Sequence, residues 1–138
     1  MSPKVFITRR MTFSASHRLH NKALSAKANR AVFGKCNNPN GHGHNFTLEV
    51  TLFGPIDPRT GMVYNLRHLN DVMIQVIERG LDHKNLNMDV PALKGIIPTA
   101  ENIAVVIWAM LTKHLPPRLL HEVRLIETEN NFVSYQGS

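Results

Sequence analysis

Residues 36–45 read CNNPNGHGHN and place one thiol and two histidines within nine positions. The glycines and the proline of this segment disfavour a regular helix. If a strand begins at His42, the side chains of His42 and His44 point to the same face, because side chains alternate along a strand. Two imidazoles on one face, separated by the small Gly43, would form half of a metal site.

Two predicted strands supply the other half of this metal site. From Lys4 to His17 apolar and polar residues alternate, and one face carries, apart from Arg9, the residues Val5, Ile7, Met11, Phe13, Ala15 and His17. A second alternating stretch has His44, Phe46, Leu48, Val50 and Leu52 on one face. The first strand ends at its histidine and the second begins at its histidines. Antiparallel pairing therefore predicts that His17, His42 and His44 converge.

The remaining patterns complete an α+β fold. Amphipathic periodicity predicts helices over Asn65–Arg79, stopped by Gly80, and over Thr99–His114, with Asn65 and Thr99 as N-caps. Strands are predicted at His121–Glu129 and Phe132–Gln136, and Ala23–Phe33 could hold one or two helical turns. The order ββααββ predicts one domain over residues 1–138, with a four-stranded antiparallel sheet and both helices on one face. Its two open edges would be removed if subunits paired edge to edge into a barrel.

Charge and composition indicate which kinds of partner and which cellular setting suit the chain. The net charge of +6 favours an anionic partner such as nucleic acid, phosphates or a membrane surface, although a solvated basic surface is an equally good explanation. No apolar run approaches membrane-spanning length, and the N-terminus lacks a signal-peptide pattern. A single cysteine excludes an internal disulfide and fits a reducing, cytoplasmic setting.

Three histidines without a fourth side-chain ligand are typical of a catalytic zinc site with an open position. Two other interpretations stay open at this point: hydrogen-bonded histidines without metal, and a closed structural site with Cys36 as fourth ligand. Cys36 follows Lys35, a cation that would favour the thiolate, although a lone cysteine is more often inert. Asp82 and His83 could act as a relay that activates a thiol, or could be a solvent-exposed polar pair.

Several motifs, in order, resemble the 6-pyruvoyl tetrahydropterin synthase family. They are FSASH at 13–17, GKCNNPNGHGHN at 34–45, LDHKNL at 81–86 and Glu127-Thr128, joined by the turn at 57–62 and the helix start at 98–102. The likeness covers nearly the whole chain. Ala100 departs from the threonine often found in the family.

This resemblance implies a zinc-dependent carbon–oxygen lyase that converts 7,8-dihydroneopterin triphosphate into 6-pyruvoyl tetrahydropterin and triphosphate, in tetrahydrobiopterin biosynthesis. It implies zinc on His17, His42 and His44, with Cys36 as general base and with Asp82 and His83 setting its protonation. Glu127 would anchor the pterin, and Thr99 and Glu101 match positions near the pterin pocket. By position alone, Arg18, Lys22 and Lys35 are candidates for the triphosphate.

The resemblance also implies a tunnelling fold, in which trimers close a barrel and two trimers stack into a homohexamer. Sites would then lie between subunits, and neither nucleic acid nor a membrane would be a partner. Two alternatives remain. One is 6-carboxytetrahydropterin synthase of the queuosine pathway, although the long Cys-to-His spacing is more similar to the pyruvoyl enzyme. The other is a basic, zinc-stabilised nucleic-acid-binding module, which would need no cysteine base.

Overall fold

The computed structural model describes residues 2–138, in which strands and helices alternate until two consecutive strands close the chain. In chain order they are β1 (Lys4–His17), α1 (Ala26–Phe33), β2 (His42–Pro55), α2 (Leu66–Met73), β3 (Lys84–Asn85), α3 (Ala100–Leu111), β4 (Leu120–Thr128) and β5 (Asn131–Tyr135). A 3₁₀ turn follows α1 at Gly34–Asn37, and another lies at Pro91–Leu93. The predicted α+β class and the positions of the four long elements of the sheet are confirmed.

The prediction of a four-stranded sheet is wrong. The sheet has five strands in the order β3-β1-β2-β4-β5, and β3 pairs parallel to β1 at Ala15 and Ser16. The other neighbouring strands are antiparallel. A two-residue strand within a polar connection carries no alternation, so periodicity could not reveal it.

Both predicted helices pack on one face of the sheet, over a single core. The buried side chains of that core come from β1, β2 and β4 below and from the two helices above, among them Phe46, Leu48, Leu69, Ile77, Ile103, Ile107 and Leu125. Burial along β1 is confined to its second half, because Phe13, Ala15 and His17 are buried while Val5 is 38% exposed. The covered end of β1 is the end that carries the histidine.

The predicted N-termini of both helices are confirmed, whereas both α-helices end earlier than predicted. The side chains of Asn65 and Thr99 cap α2 and α3, accepting from the backbone N–H groups of Arg67 and Asn102. After Met73 the α-helix continues as a π-helical turn over Ile74–Glu78. A Cβ at Gly80 would lie 2.2 Å from the carbonyl oxygen of Val76, so only glycine fits at the predicted stop.

Helix α3 ends at Leu111, three residues before the predicted end at His114. A turn involving Pro116 precedes β4. In the described residues we find no helix with the length and apolar character that crossing a membrane requires.

Candidate active site

The register of β1 and β2 brings the three predicted histidines together. His17 lies directly opposite His42, and His44 lies opposite Ala15. One ligand atom from each of His17, His42 and His44 lies within 4.8 Å of the others. The Nε2 atoms of His17 and His42 are 3.2 Å apart. The predicted convergence is confirmed, and the cluster could hold a metal ion.

The backbone just before α3 orients the buried member of this cluster. His17 is 1% exposed, and its Nδ1 is 2.7 Å from the carbonyl oxygen of Pro98. An N–H at Nδ1 can donate to that oxygen, which leaves Nε2 free as a ligand atom. Sequence reasoning did not identify Pro98 because a backbone carbonyl leaves no residue signature.

Two of the three histidines have pKa values shifted in the direction that favours metal binding. Burial lowers the pKa of His17 and of His44, against opposing effects of the Pro98 hydrogen bond at His17 and of Glu127 at both. Both rings are thereby held in the neutral form that metal ions bind. Two buried nitrogens, Nε2 of His44 and Nδ1 of His42, have no hydrogen-bond partner among the described residues. Nε2 of His44 can therefore be presented to a metal ion, and a set of three histidines fits zinc with one open position.

Cys36 lies beside this cluster on a turn that is tied to the chain after His17. The carbonyl oxygen of Cys36 accepts a hydrogen bond from the N–H of Leu19 at 2.8 Å, and Asn37 Nδ2 donates to the carbonyl oxygen of Leu19 at 2.8 Å. The thiol is half-buried, and Cys36 and His42 line one cavity together with Lys35. Cys36 lies outside the group of residues whose ligand atoms converge.

Asp82 and His83 form a pair at the edge of the sheet. His83 Nδ1 is 2.9 Å from Asp82 Oδ2, and the backbone N–H of Ser14 donates to Asp82 Oδ1 at 2.8 Å. The Ser14 hydrogen bond, with a smaller contribution from His83 and against partial desolvation, lowers the pKa of Asp82. The His83 side chain is 82% exposed, on a backbone with φ of +60°. Within residues 2–138 no hydrogen bond joins this pair to Cys36.

The three residues predicted to contact a pterin lie on two different elements, one on β4 and two at the start of α3. Glu127 on β4 is near the histidines, with its Oε1 3.9 Å from His44 Nε2. Thr99 follows Pro98 and its hydroxyl accepts from the N–H of Asn102, as the cap of α3. Glu101 is exposed on the first turn of that helix.

The candidate triphosphate residues are divided between two cavities. Arg18 and Lys22 line a cavity that also includes Lys94, a residue that the sequence analysis did not select. Lys35 lines the cavity of Cys36 and His42 instead. The positions of these residues in the sequence did not show which cavity each of them lines.

The chain is similar to known proteins over nearly its whole length. The family model described as 6-pyruvoyl tetrahydropterin synthase matches residues 6–138. A human protein named 6-pyruvoyl tetrahydrobiopterin synthase is 54% identical over 131 residues, covering 95% of this chain and 90% of the human protein. A Dictyostelium discoideum protein of the same name is 46% identical over 137 residues, 99% of each chain. The solved structure of Caenorhabditis elegans 6-pyruvoyl tetrahydropterin synthase has a TM-score of 0.95 at 43% identity and covers 99% of this chain and 98% of that one.

Proposed function

The chain belongs to the 6-pyruvoyl tetrahydropterin synthase family, and on this premise we propose that it converts 7,8-dihydroneopterin triphosphate into 6-pyruvoyl tetrahydropterin and triphosphate. This is a carbon–oxygen lyase reaction of tetrahydrobiopterin biosynthesis. The observation that carries the proposal is the convergence of His17, His42 and His44 beside the cavity of Cys36. A metal-binding cluster and a thiol are thereby available to one small substrate.

His17, His42 and His44 would hold zinc, in agreement with the lowered pKa values of His17 and His44 and with the unpartnered Nε2 of His44. Bound zinc would supply Lewis acidity to the hydroxyls of the substrate side chain, which makes the carbon-bound protons beside them more acidic. The hydrogen bond between His17 and Pro98 keeps the His17 ring in position for this role.

Cys36 would be the general base that takes up and returns those protons. Its cavity includes His42, so a substrate side chain held at the histidines lies within reach of the thiol. Glu127 would hold the pterin ring, since one carboxylate can accept two hydrogen bonds from the amino group and the ring N–H. Thr99 and Glu101 would complete the pterin pocket.

Asp82 and His83 would set the protonation of Cys36 from a neighbouring subunit. In support of this, the pair lies at the sheet edge, and within residues 2–138 no hydrogen bond joins it to Cys36. Strand β3 covers only two residues of β1, which leaves most of that strand's outer edge without a strand partner in the described chain. Pairing of this edge with β5 of another subunit would close a barrel and remove both edges.

The assembly proposed is therefore a homohexamer of two trimers, each subunit a single domain over residues 1–138, working in the cytoplasm on a small-molecule substrate. Native mass spectrometry of the purified protein tests the assembly, with six chains as the expected mass. A monomer with full activity would contradict the proposed contribution of Asp82 and His83 across subunits.

The activity is tested by incubating the purified, zinc-loaded protein with 7,8-dihydroneopterin triphosphate and identifying the products by mass spectrometry. We expect 6-pyruvoyl tetrahydropterin together with inorganic triphosphate. A carboxylated pterin with release of acetaldehyde would instead identify a 6-carboxytetrahydropterin synthase. Steeply salt-dependent nucleic-acid binding that survives Cys36→Ala, without turnover, would identify a binding module.

A further inference from the structure

A cavity of about 670 Å³ is lined by residues that directly adjoin His17 and His42 in the chain, and it shares no lining residue with the cavity of Cys36. We propose that its cations, Arg18, Lys22 and Lys94, bind the triphosphate group of the substrate. This proposal rests on the proposed function, because that function supplies a triphosphate ester as the substrate. It assigns a role to Lys94 and separates Lys35 from the residues that bind the phosphates.

The charge of the cavity is of one sign. Three cations line it, none of its lining residues within the described chain is acidic, and its other polar lining residues include Asn21, Asn40 and His20. Cations in a concave wall without neutralising carboxylates raise the local concentration of anions. Amide N–H groups can add hydrogen bonds to phosphate oxygens without adding negative charge.

Arg18 is held in a fixed position at this wall. Its Nε donates to the carbonyl oxygen of Asn37 at 3.1 Å, which leaves its two terminal nitrogens for a ligand. The side chain of Asn87 holds the backbone of Arg18 from both sides, accepting from its N–H at 2.7 Å and donating to its carbonyl oxygen at 2.8 Å. A preorganised guanidinium loses less freedom when it binds a phosphate, and its planar fork suits phosphate oxygens.

Lys94 is carried on a loop that is anchored in the core. Leu93 beside it is 1% exposed, and Leu86 and Val90 earlier in the same loop are also buried. The N–H of Lys94 donates to the carbonyl oxygen of Pro91 at 3.1 Å. The base of this lysine is therefore fixed, while its long side chain can adjust to a flexible polyphosphate.

The cavity is placed where the chemistry of the substrate requires it. Arg18 directly follows His17, and Gly41 directly precedes His42, and both residues line the cavity. At Gly41, where φ is +73°, a Cβ would lie 2.9 Å from the carbonyl oxygen of His17, so the two segments touch. The triphosphate is esterified to the last carbon of a three-carbon side chain, next to the hydroxyl-bearing carbons that the cluster would hold. A phosphate site must therefore lie near the histidines, and the neighbours of His17 and His42 in the chain line this cavity.

These cations would also assist the elimination. The triphosphate leaves with the electron pair of its C–O bond while the neighbouring carbon gives up a proton to the base. The departing group gains negative charge in this step, and cations already in contact with it stabilise that charge.

The test measures phosphate binding separately from turnover. Binding of inorganic triphosphate to the assembled, zinc-loaded protein is followed by isothermal titration calorimetry for the wild type, Lys94→Gln, Lys22→Gln and Lys113→Gln. Lys113 is an exposed residue just beyond α3 that does not line the cavity, so it is the matched control for loss of one charge. The substrate KM and the affinity for unphosphorylated dihydroneopterin are measured on the same variants.

We expect Lys94→Gln and Lys22→Gln each to weaken triphosphate binding about tenfold, equivalent to about 1.4 kcal/mol, and to raise the substrate KM. Zinc content and dihydroneopterin binding should stay at the wild-type level, and Lys113→Gln should change neither ligand's affinity. Unchanged triphosphate binding in Lys94→Gln, or equal losses for triphosphate and dihydroneopterin, would overturn the proposal. Intact triphosphate binding through Lys94 without any pterin product would count against the proposed function while supporting the polyphosphate site.

Discussion

Replacing Cys36 with alanine should lower turnover by about a hundredfold or more while the metal stays bound. The three ligand atoms belong to His17, His42 and His44, and Cys36 is not part of that group. The contact that positions residue 36 is made by its backbone carbonyl, which accepts from Leu19, and alanine keeps this bond. The substitution therefore removes the thiol without removing the turn that carries it.

The magnitude follows from the role of a general base, whose removal typically lowers a rate by about 10² to 10⁴, or about 2.7 to 5.4 kcal/mol of transition-state free energy. We expect kcat to fall within this range for Cys36→Ala. Cys36→Ser is the companion variant: it keeps the volume of the side chain but replaces the thiol by a hydroxyl that is a far weaker acid, so it should be similarly slow. Substrate affinity should change little in both.

The assay pairs steady-state kinetics with metal analysis by mass spectrometry on the same samples. One zinc per chain with a kcat lowered at least a hundredfold is the expected result. Loss of stoichiometric zinc would make Cys36 a ligand and would restore the closed structural site as an interpretation. Turnover close to that of the wild type with zinc retained would show that another group is the base.

Three further substitutions test the metal site, the core and the sheet edge. His42→Ala should lose most zinc and all measurable activity, checked by metal analysis and product assay, and full zinc retention would count against the histidine cluster. Phe46→Ala should lower the free energy of unfolding by about 3–5 kcal/mol in urea titrations, because Phe46 is fully buried and stacks on Phe13 at 5.0 Å; a loss below about 1 kcal/mol would contradict its central place in the core. The hydrogen bond from Ser14 lowers the pKa of Asp82 below the ordinary value of an aspartate, so the stabilisation that this bond gives is complete above the unfolded pKa and is lost as pH falls through the lower native value. Asp82→Asn should therefore flatten the decline in urea midpoint between about pH 5 and pH 2 relative to the wild type, and an unchanged pH profile would refute this account.

Much of this fold could be predicted because apolar and polar residues alternate along its two longest strands, with Arg9 as the exception in β1. Alternation placed β1 at Lys4–His17, as observed, and fixed which face of β2 is buried. The position of the histidines at opposite ends of these strands then required them to meet in an antiparallel pair. The caps Asn65 and Thr99 were also predictable, since each has an oxygen that accepts from a free N–H of the first helical turn.

Other features depend on contacts that no local pattern encodes. Strand β3 exists because the backbone after His83 meets β1, where the N–H of Leu86 donates to the carbonyl oxygen of Ser16 at 2.8 Å. The hydrogen bond between His17 and Pro98 joins residues 81 positions apart through a backbone atom. Lys94 was overlooked because a lysine in a loop is ordinary by itself. Its position is apparent only in the folded structure, where Lys94 and Arg18 line the same cavity.

The proposed metal ligands and the proposed base are held by different kinds of structure, so a mutation can affect one without affecting the other. His17 and His42 end a continuous ladder that begins with Lys4 opposite Pro55, and a slip of one residue would turn both histidines of β2 to the opposite face. The core on that face fixes the register, so the metal site is protected by the stability of the whole sheet. Cys36 is held by a few hydrogen bonds between two loop segments, and local opening of such segments costs far less than global unfolding. Changes in residues 18–41 should therefore affect turnover before they affect metal binding.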